Sequence, residues 1–263
     1  MEKTLKIFAK ILLVGGCLFL AACSINDGGG ELGSPDQGVG GSMARFTVKG
    51  DYLYAVTESA LKTFDIADAA KPRYLSGKEQ TLSMWAETIF PLDSFLLIGS
   101  QQGMYIYSIA RDGFPQQIAV VRHFTSCDPV VASGNYAYVT LHSDVNSRCG
   151  RGLNRLEIYD ITDHTDPVLV HAEEGLIRPL GLGVDGNKLF VCDNGLKVYD
   201  ISNPINPIWT GDITHIPELD DIQPYDVIPL HGTLLLVGQG GFYQLDYSGE
   251  KLSLISKITV TKE

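Results

Sequence analysis

Short apolar runs recur along the chain, each opened by turn-forming residues. Leu53-Tyr54-Ala55-Val56, Phe95-Leu96-Leu97-Ile98, Tyr136-Ala137-Tyr138-Val139, Leu189-Phe190-Val191-Cys192 and Leu234-Leu235-Leu236-Val237 are the runs. Gly50-Asp51, Asp93-Ser94, Gly134-Asn135, Asp185-Gly186-Asn187 and Gly232-Thr233 precede them. Runs this short between turns predict buried strands rather than helices. A further segment follows each run, such as Leu196-Lys197-Val198-Tyr199-Asp200-Ile201, whose alternation predicts a half-buried strand.

The alternating segments share a signature. Phe64-Asp65-Ile66, Tyr107-Ser108-Ile109, Tyr159-Asp160-Ile161 and Tyr199-Asp200-Ile201 are followed by Pro72, Pro115, Pro167 and Pro207, each seven residues after the Asp or Ser. Gln244-Leu245-Asp246 is a degenerate fifth copy without the proline. The side chains of Asp65, Asp160 and Asp200 are placed to accept backbone N–H bonds in the following turn, which makes them structural rather than catalytic. A strand-turn unit of about 40–50 residues, repeated five times, predicts an all-β fold: a β-propeller of five four-stranded blades over residues 44–263. The phasing makes each blade contiguous, from Arg45-Phe46-Thr47-Val48 to Leu252–Ser256, with blade 5 packing on blade 1. A strand swapped between the ends is the other way to close such a ring.

Leu189–Ile213, together with Tyr136–Leu141 and Arg155–Val170, resembles the LVIVD repeat of bacterial and archaeal surface proteins. The resemblance is strong in blades 3 and 4, moderate in 1 and 2 and weak in 5. It implies a propeller and transfers no catalytic residue. Ser108 in blade 2 and the missing proline in blade 5 depart from the pattern.

The first residues change the picture from fold to address. Lys3, Lys6 and Lys10 precede an apolar stretch, Ile11–Leu20, that is short for a membrane span and ends in Leu20-Ala21-Ala22-Cys23. This resembles the lipobox of bacterial lipoproteins, and implies a signal peptide over residues 1–22 and a lipidated Cys23. Acyl burial would anchor the chain at about 0.8 kcal/mol per CH₂. Residues 23–43, rich in Gly, Ser and Pro, read as a flexible tether. Ser24 after the cysteine resembles the sorting pattern of outer-membrane lipoproteins, and the acidic stretch after it weakly resembles surface-export signals. The expected address is therefore the cell envelope, at the outer membrane and in one reading at its surface. The chain carries −11, and removal of three lysines and Glu2 with the signal would leave −13. Such an acidic balance disfavours nucleic acid, and leaves the lipid anchor as the expected membrane contact.

Of the five cysteines, Cys17 lies in the signal and Cys23 at the lipid site. Blade 3 is the longest repeat because of Ser143–Gly152 between its second and third strands. Cys127 and Cys149 fall on connections that emerge on one propeller face, so a disulfide is expected there; two thiols or metal ligands are the alternatives. Cys192, in an apolar strand, reads as a buried thiol.

Alignment of the blades on their second strands puts Ala44, Glu87, Asp128, Leu180 and Asp226 at one level of the channel mouth. Three carboxylates there suit a Ca²⁺-like cation or a cationic or hydroxyl-rich ligand, with solvated or loop-capping side chains as the alternative. Trp85, Arg178 and Tyr225 are expected at the same mouth, where an aromatic beside carboxylates suits sugar or peptide binding, although Trp85 serves equally as a loop anchor. HExxH, GxSxG and P-loop motifs are absent from the sequence. The sequence therefore points to a binding or scaffold module for a protein or glycan of the envelope, with no cofactor beyond a possible Ca²⁺. A glycan-active hydrolase or lyase, using Glu87, Asp128 or Asp226, is the alternative.

Overall fold

A computed structural model describes residues 40–82, 85–122, 129–144, 153–210, 222–249 and 251–260. Five antiparallel sheets follow one another along the chain. Blade 1 is β1 (Phe46–Lys49), β2 (Tyr52–Val56), β3 (Ala60–Asp65) and β4 (Arg73–Tyr74), with a 3₁₀ turn at Ser76–Lys78 and the short β5 (Gln80–Thr81) also paired to β3. Blade 2 is β6 (Ala86–Leu92), β7 (Phe95–Ser100), β8 (Gly103–Ile109) and β9 (Pro115–Arg122). Blade 3 is β10 (Val130–Ser133), β11 (Tyr136–Leu141), β12 (Arg155–Asp160) and β13 (Val168–Glu174). Blade 4 is β14 (Leu182–Asp185), β15 (Lys188–Asp193), β16 (Gly195–Asp200) and β17 (Ile208–Trp209). Blade 5 is β18 (Pro224–Leu230), β19 (Thr233–Gly238), β20 (Gly241–Asp246) and β21 (Ser253–Thr259). The protein is an all-β, five-bladed propeller, as the repeat predicts, and among the described residues no strand is shared between blades.

The signature aspartates cap their turns as expected. Asp65, Asp160, Asp200 and the fifth-copy Asp246 accept from the backbone N–H two residues on, at 3.1, 2.8, 2.8 and 2.8 Å. The carboxyls lie below the usual aspartate range; in Asp65 the backbone bond from Ala67 leads, and in the others the side-chain hydroxyl of Thr162, Ser202 or Ser248 leads and the backbone bond adds to it. Blade 2, with Ser108, uses Asp112 instead, whose carboxylate accepts from Phe114 N–H at 3.2 Å.

Alternate residues of each strand face opposite neighbours, so every inner blade buries two apolar faces. Tyr54, Leu61, Ile89, Leu96 and Tyr105 join blades 1 and 2. Leu97, Met104, Val130 and Val139 join blades 2 and 3. Val131, Tyr138, Leu182 and Val191 join blades 3 and 4, and Phe190, Val198, Val227 and Leu236 join blades 4 and 5. The expected packing of blade 5 on blade 1 does not appear as a fifth cluster among the described residues. The pairing registers make Phe46 the counterpart of Ile89, Val130, Leu182 and Val227. Phe46 is 62% exposed, whereas those four are at most 1% exposed. Among the described residues the seam between the first and last blades is open.

Candidate functional site

The innermost strands carry the site, and two β-bulges aim its side chains. The β6–β7 register shifts between Ala86 and Thr88, so Glu87 stands out of the ladder; in β18–β19 the shift falls between Pro224 and Asp226, so Tyr225 does. The bulged Tyr225, not Asp226, is therefore the structural counterpart of Glu87. Asp226 lies one residue deeper, level with Thr88. Alignment on the apolar runs places Asp226 at the Glu87 level because the blade 5 run Leu234–Val237 is offset by one residue against Phe95–Ile98.

Asp226 is enclosed by the chain's own N-terminal approach. Ser42 Oγ donates to Asp226 Oδ1 at 2.8 Å and accepts from Leu182 N–H at 2.8 Å, and Met43 N–H donates to Asp226 Oδ2 at 3.3 Å. Burial raises the Asp226 pKa against the lowering effect of these donors. Gly181 makes the approach possible: a Cβ there would lie 2.2 Å from Asp226 Oδ1 and 2.6 Å from the Tyr225 carbonyl oxygen. The turn continues with Ala44 N–H donating to Gly41 O at 3.0 Å, and Ile89 N–H donating to Ala44 O at 2.8 Å. Gly41–Met43, expected in the tether, thus cross from blades 4 and 5 to blades 1 and 2.

Beside this turn lies a cavity of about 270 Å³ lined by Met43, Arg45, Glu87, Thr88, Pro129, His142 and Leu180. Arg45 is held by the Ala86 carbonyl at 3.3 Å, and Gln101 Nε2 donates to Glu87 Oε1 at 3.0 Å. Burial raises the Glu87 pKa, opposed by Gln101 and by the Arg45 charge. Burial and the Arg178 charge lower the His142 pKa, which favours the neutral imidazole, and His142 Nδ1 is buried with no hydrogen-bond partner among the described residues. Arg178 is positioned by Asp193, whose Oδ1 accepts from the N–H groups of Ile177 and Arg178 at 2.9 and 2.5 Å; its guanidinium donates to Gln223 Oε1 at 2.9 Å. The cavity thus presents a guanidinium, a carboxyl, an imidazole and a threonine over the apolar Met43, Pro129 and Leu180.

Of the expected site residues, Glu87 lines this cavity and Arg178 acts on His142 from beside it. Trp85 is exposed at the start of β6, its carbonyl accepting from Gln101 N–H at 3.1 Å. Tyr225 lies apart, in a groove of about 540 Å³ with Val237, Phe242 and Val260 on the outer face of blade 5. Cys23, Cys127, Asp128 and Cys149 lie outside the described residues. Among the described residues no three His, Cys, Asp or Glu side chains group as a metal site, and Asp128 of the expected acidic trio lies outside them. Cys192 is a buried thiol whose pKa burial raises. Arg45, Thr88 and His142 escape sequence reasoning because nothing local marks them; only the blade registers bring them to Glu87.

A second cleft, about 480 Å³, lies between blades 2 and 3 and includes Arg122, Arg155, Glu157, Tyr159 and Leu169. Its buried Glu157 is already engaged by the Arg155 guanidinium and by Tyr159 O–H. The channel-side cavity, whose buried imidazole nitrogen has no partner among the described residues, is the better candidate.

The fold and this cavity define a β-propeller with a polar cup among its innermost strands. The family model of the LVIVD repeat matches residues 126–145 and 181–214, so this β-propeller carries LVIVD repeats in blades 3 and 4. No curated protein matches the sequence. Solved structures share the fold. AztD from Citrobacter koseri superposes with a TM-score of 0.58 at 14% identity, over 78% of this chain and 58% of that one. A functionally unknown protein from Desulfotomaculum acetoxidans gives 0.60 at 14%, over 86% and 69%. BamB from Moraxella catarrhalis gives 0.51 at 11%, over 82% and 64%. The chain thus spans less than two thirds of AztD.

Proposed function

We propose that this chain is a binding module of the cell envelope, held by a lipid on Cys23, whose ligand enters the cup formed by Arg45, Glu87, Thr88 and His142. The observation that carries the reading is convergence: three ionisable groups from three blades meet at one cavity, and a buried imidazole nitrogen there has no partner among the described residues. Drug-sized ligands occupy pockets of about 300–1,000 Å³, so a cavity of about 270 Å³ suits one sugar ring or one side chain. Paired donors and acceptors over an apolar floor favour the terminal residue of a glycan, which offers hydroxyls on its edge and C–H groups on its face.

The test is thermal unfolding of the protein against a panel of mono- and oligosaccharides and short peptides. A ligand at 100 times its dissociation constant stabilises the fold by about 2.7 kcal/mol. The stabilisation should disappear in Glu87→Gln and in His142→Ala. A panel without any shift sinks the glycan reading, and a shift that survives both substitutions places the site elsewhere. Incorporation of a labelled fatty acid, lost in Cys23→Ser, tests the anchor.

A further inference from the structure

The open seam carries an inference independent of the cup. In the blade repeat, one position of the innermost strand packs on the preceding blade, and Phe46 occupies it in blade 1. One position at the start of the third strand packs on the following blade: Leu61, Met104, Leu156 and Leu196 in blades 1–4, and Phe242 in blade 5 by the registers of the hairpins. The first four are at most 9% exposed, whereas Phe242 is 53% exposed. Around Phe46 the same face of blade 1 carries Leu53, Ala55, Phe64 and the exposed Tyr74; around Phe242 that of blade 5 carries Leu235, Val237 and the exposed Ile258. Singly exposed apolar residues are ordinary, but two whole blade faces are not.

The N-terminal turn lies beside the last blade. Gly41–Met43 are anchored between Asp226 and Leu182, beside the innermost strand of blade 5; a Cβ on Gly41 would lie 3.3 Å from Ile228 Cγ1 and 2.1 Å from Asp226 Oδ2.

We infer that the seam is a docking surface for a second copy of this chain, with blade 5 of one copy packing on blade 1 of the other. The two faces are complementary in kind, because each follow-on face in the chain already receives a preceding face at four interfaces. The contact continues an interface built four times within the chain. Two copies about a two-fold axis make it twice and leave no face over.

Light scattering on the size-separated full chain across a concentration series tests this. The expected result is a dimer that dissociates on dilution, and a dissociation constant raised at least about tenfold by Phe46→Asp or Phe242→Asp. Both side chains are exposed in the single copy, so thermal unfolding at high dilution should be unchanged and should report that the variants fold. Leu169→Asp, on the outer edge of blade 3, is the surface control and should leave the dimer intact. Mixing the two variants restores one intact blade 5–blade 1 contact, so the mixture should associate more tightly than either alone. A monomer at every concentration overturns the inference. So does a dimer that ignores both substitutions, or a mixture no tighter than its components.

Discussion

Replacing Ser42 with alanine removes one hydroxyl that serves two buried partners. Asp226 Oδ1 loses a donor at 2.8 Å, and Leu182 N–H, on a fully buried residue, loses its acceptor at 2.8 Å. A hydrogen bond to a charged group contributes about 1.5–3 kcal/mol, and an orphaned buried N–H costs about 1–3 kcal/mol. The two effects overlap in one site, so a loss of about 2–4 kcal/mol is expected. At about 2–4 °C per kcal/mol for a domain of this size, the unfolding temperature should fall by about 5–15 °C. Calorimetry at pH 7 on wild type and Ser42→Ala measures it. Gly181→Ala should destabilise by the same route, since its Cβ would lie 2.2 Å from Asp226 Oδ1 and 2.6 Å from a backbone oxygen that cannot swing away. A Ser42→Ala variant melting within about 2 °C of wild type would refute the claim that residues 41–43 belong to the propeller.

Arg155→Met should destabilise by about 3 kcal/mol or more, because Glu157 would remain buried with its charge uncompensated; urea unfolding measures this, and a neutral result would refute the pairing. Cys192 should resist thiol reagents in the native protein and react once the chain unfolds, as burial with a raised pKa dictates; labelling followed by peptide mass analysis decides. Burial raises the Glu87 pKa above its ordinary 4.5, so Glu87 contributes stability that is full below 4.5 and is lost as pH rises through the raised value. The urea midpoint of wild type relative to Glu87→Gln should therefore decline from pH 4 toward pH 7, and a rising difference would reverse the assigned sign. The turn aspartates act oppositely: their lowered pKa values give stability above the ordinary aspartate range that is lost as pH falls through the lowered values.

The blades were legible in the sequence because strand pairing in this fold is local. Each apolar run, its turn and its alternating partner lie within one repeat, and Asp160 and Asp200 bond only two residues ahead. The site was less legible, for two physical reasons. A bulge adds a residue to one strand without leaving a mark in composition, so the equivalence of Tyr225 with Glu87 could not be read from matching apolar runs. Ser42 meets Asp226 across 184 residues from within a Gly- and Ser-rich segment, where local composition suggests only a tether. The open seam was hidden likewise, since Phe46 and Phe242 are as apolar as their buried counterparts and only the arrangement of blades exposes them.

A row of blades joined at four interfaces and parted at a fifth is, for cooperativity, a line rather than a circle. In a closed ring every blade loses two neighbours at once when it opens, so all blades share one stability. Here blades 1 and 5 each forfeit a single apolar interface on opening, whereas blade 3 forfeits two. Amide exchange in a dilute monomer should consequently run inward from both ends, fastest in β1–β5 and β18–β21 and slowest in β10–β12. Association at the seam would erase that gradient, because it turns two ends into interior neighbours.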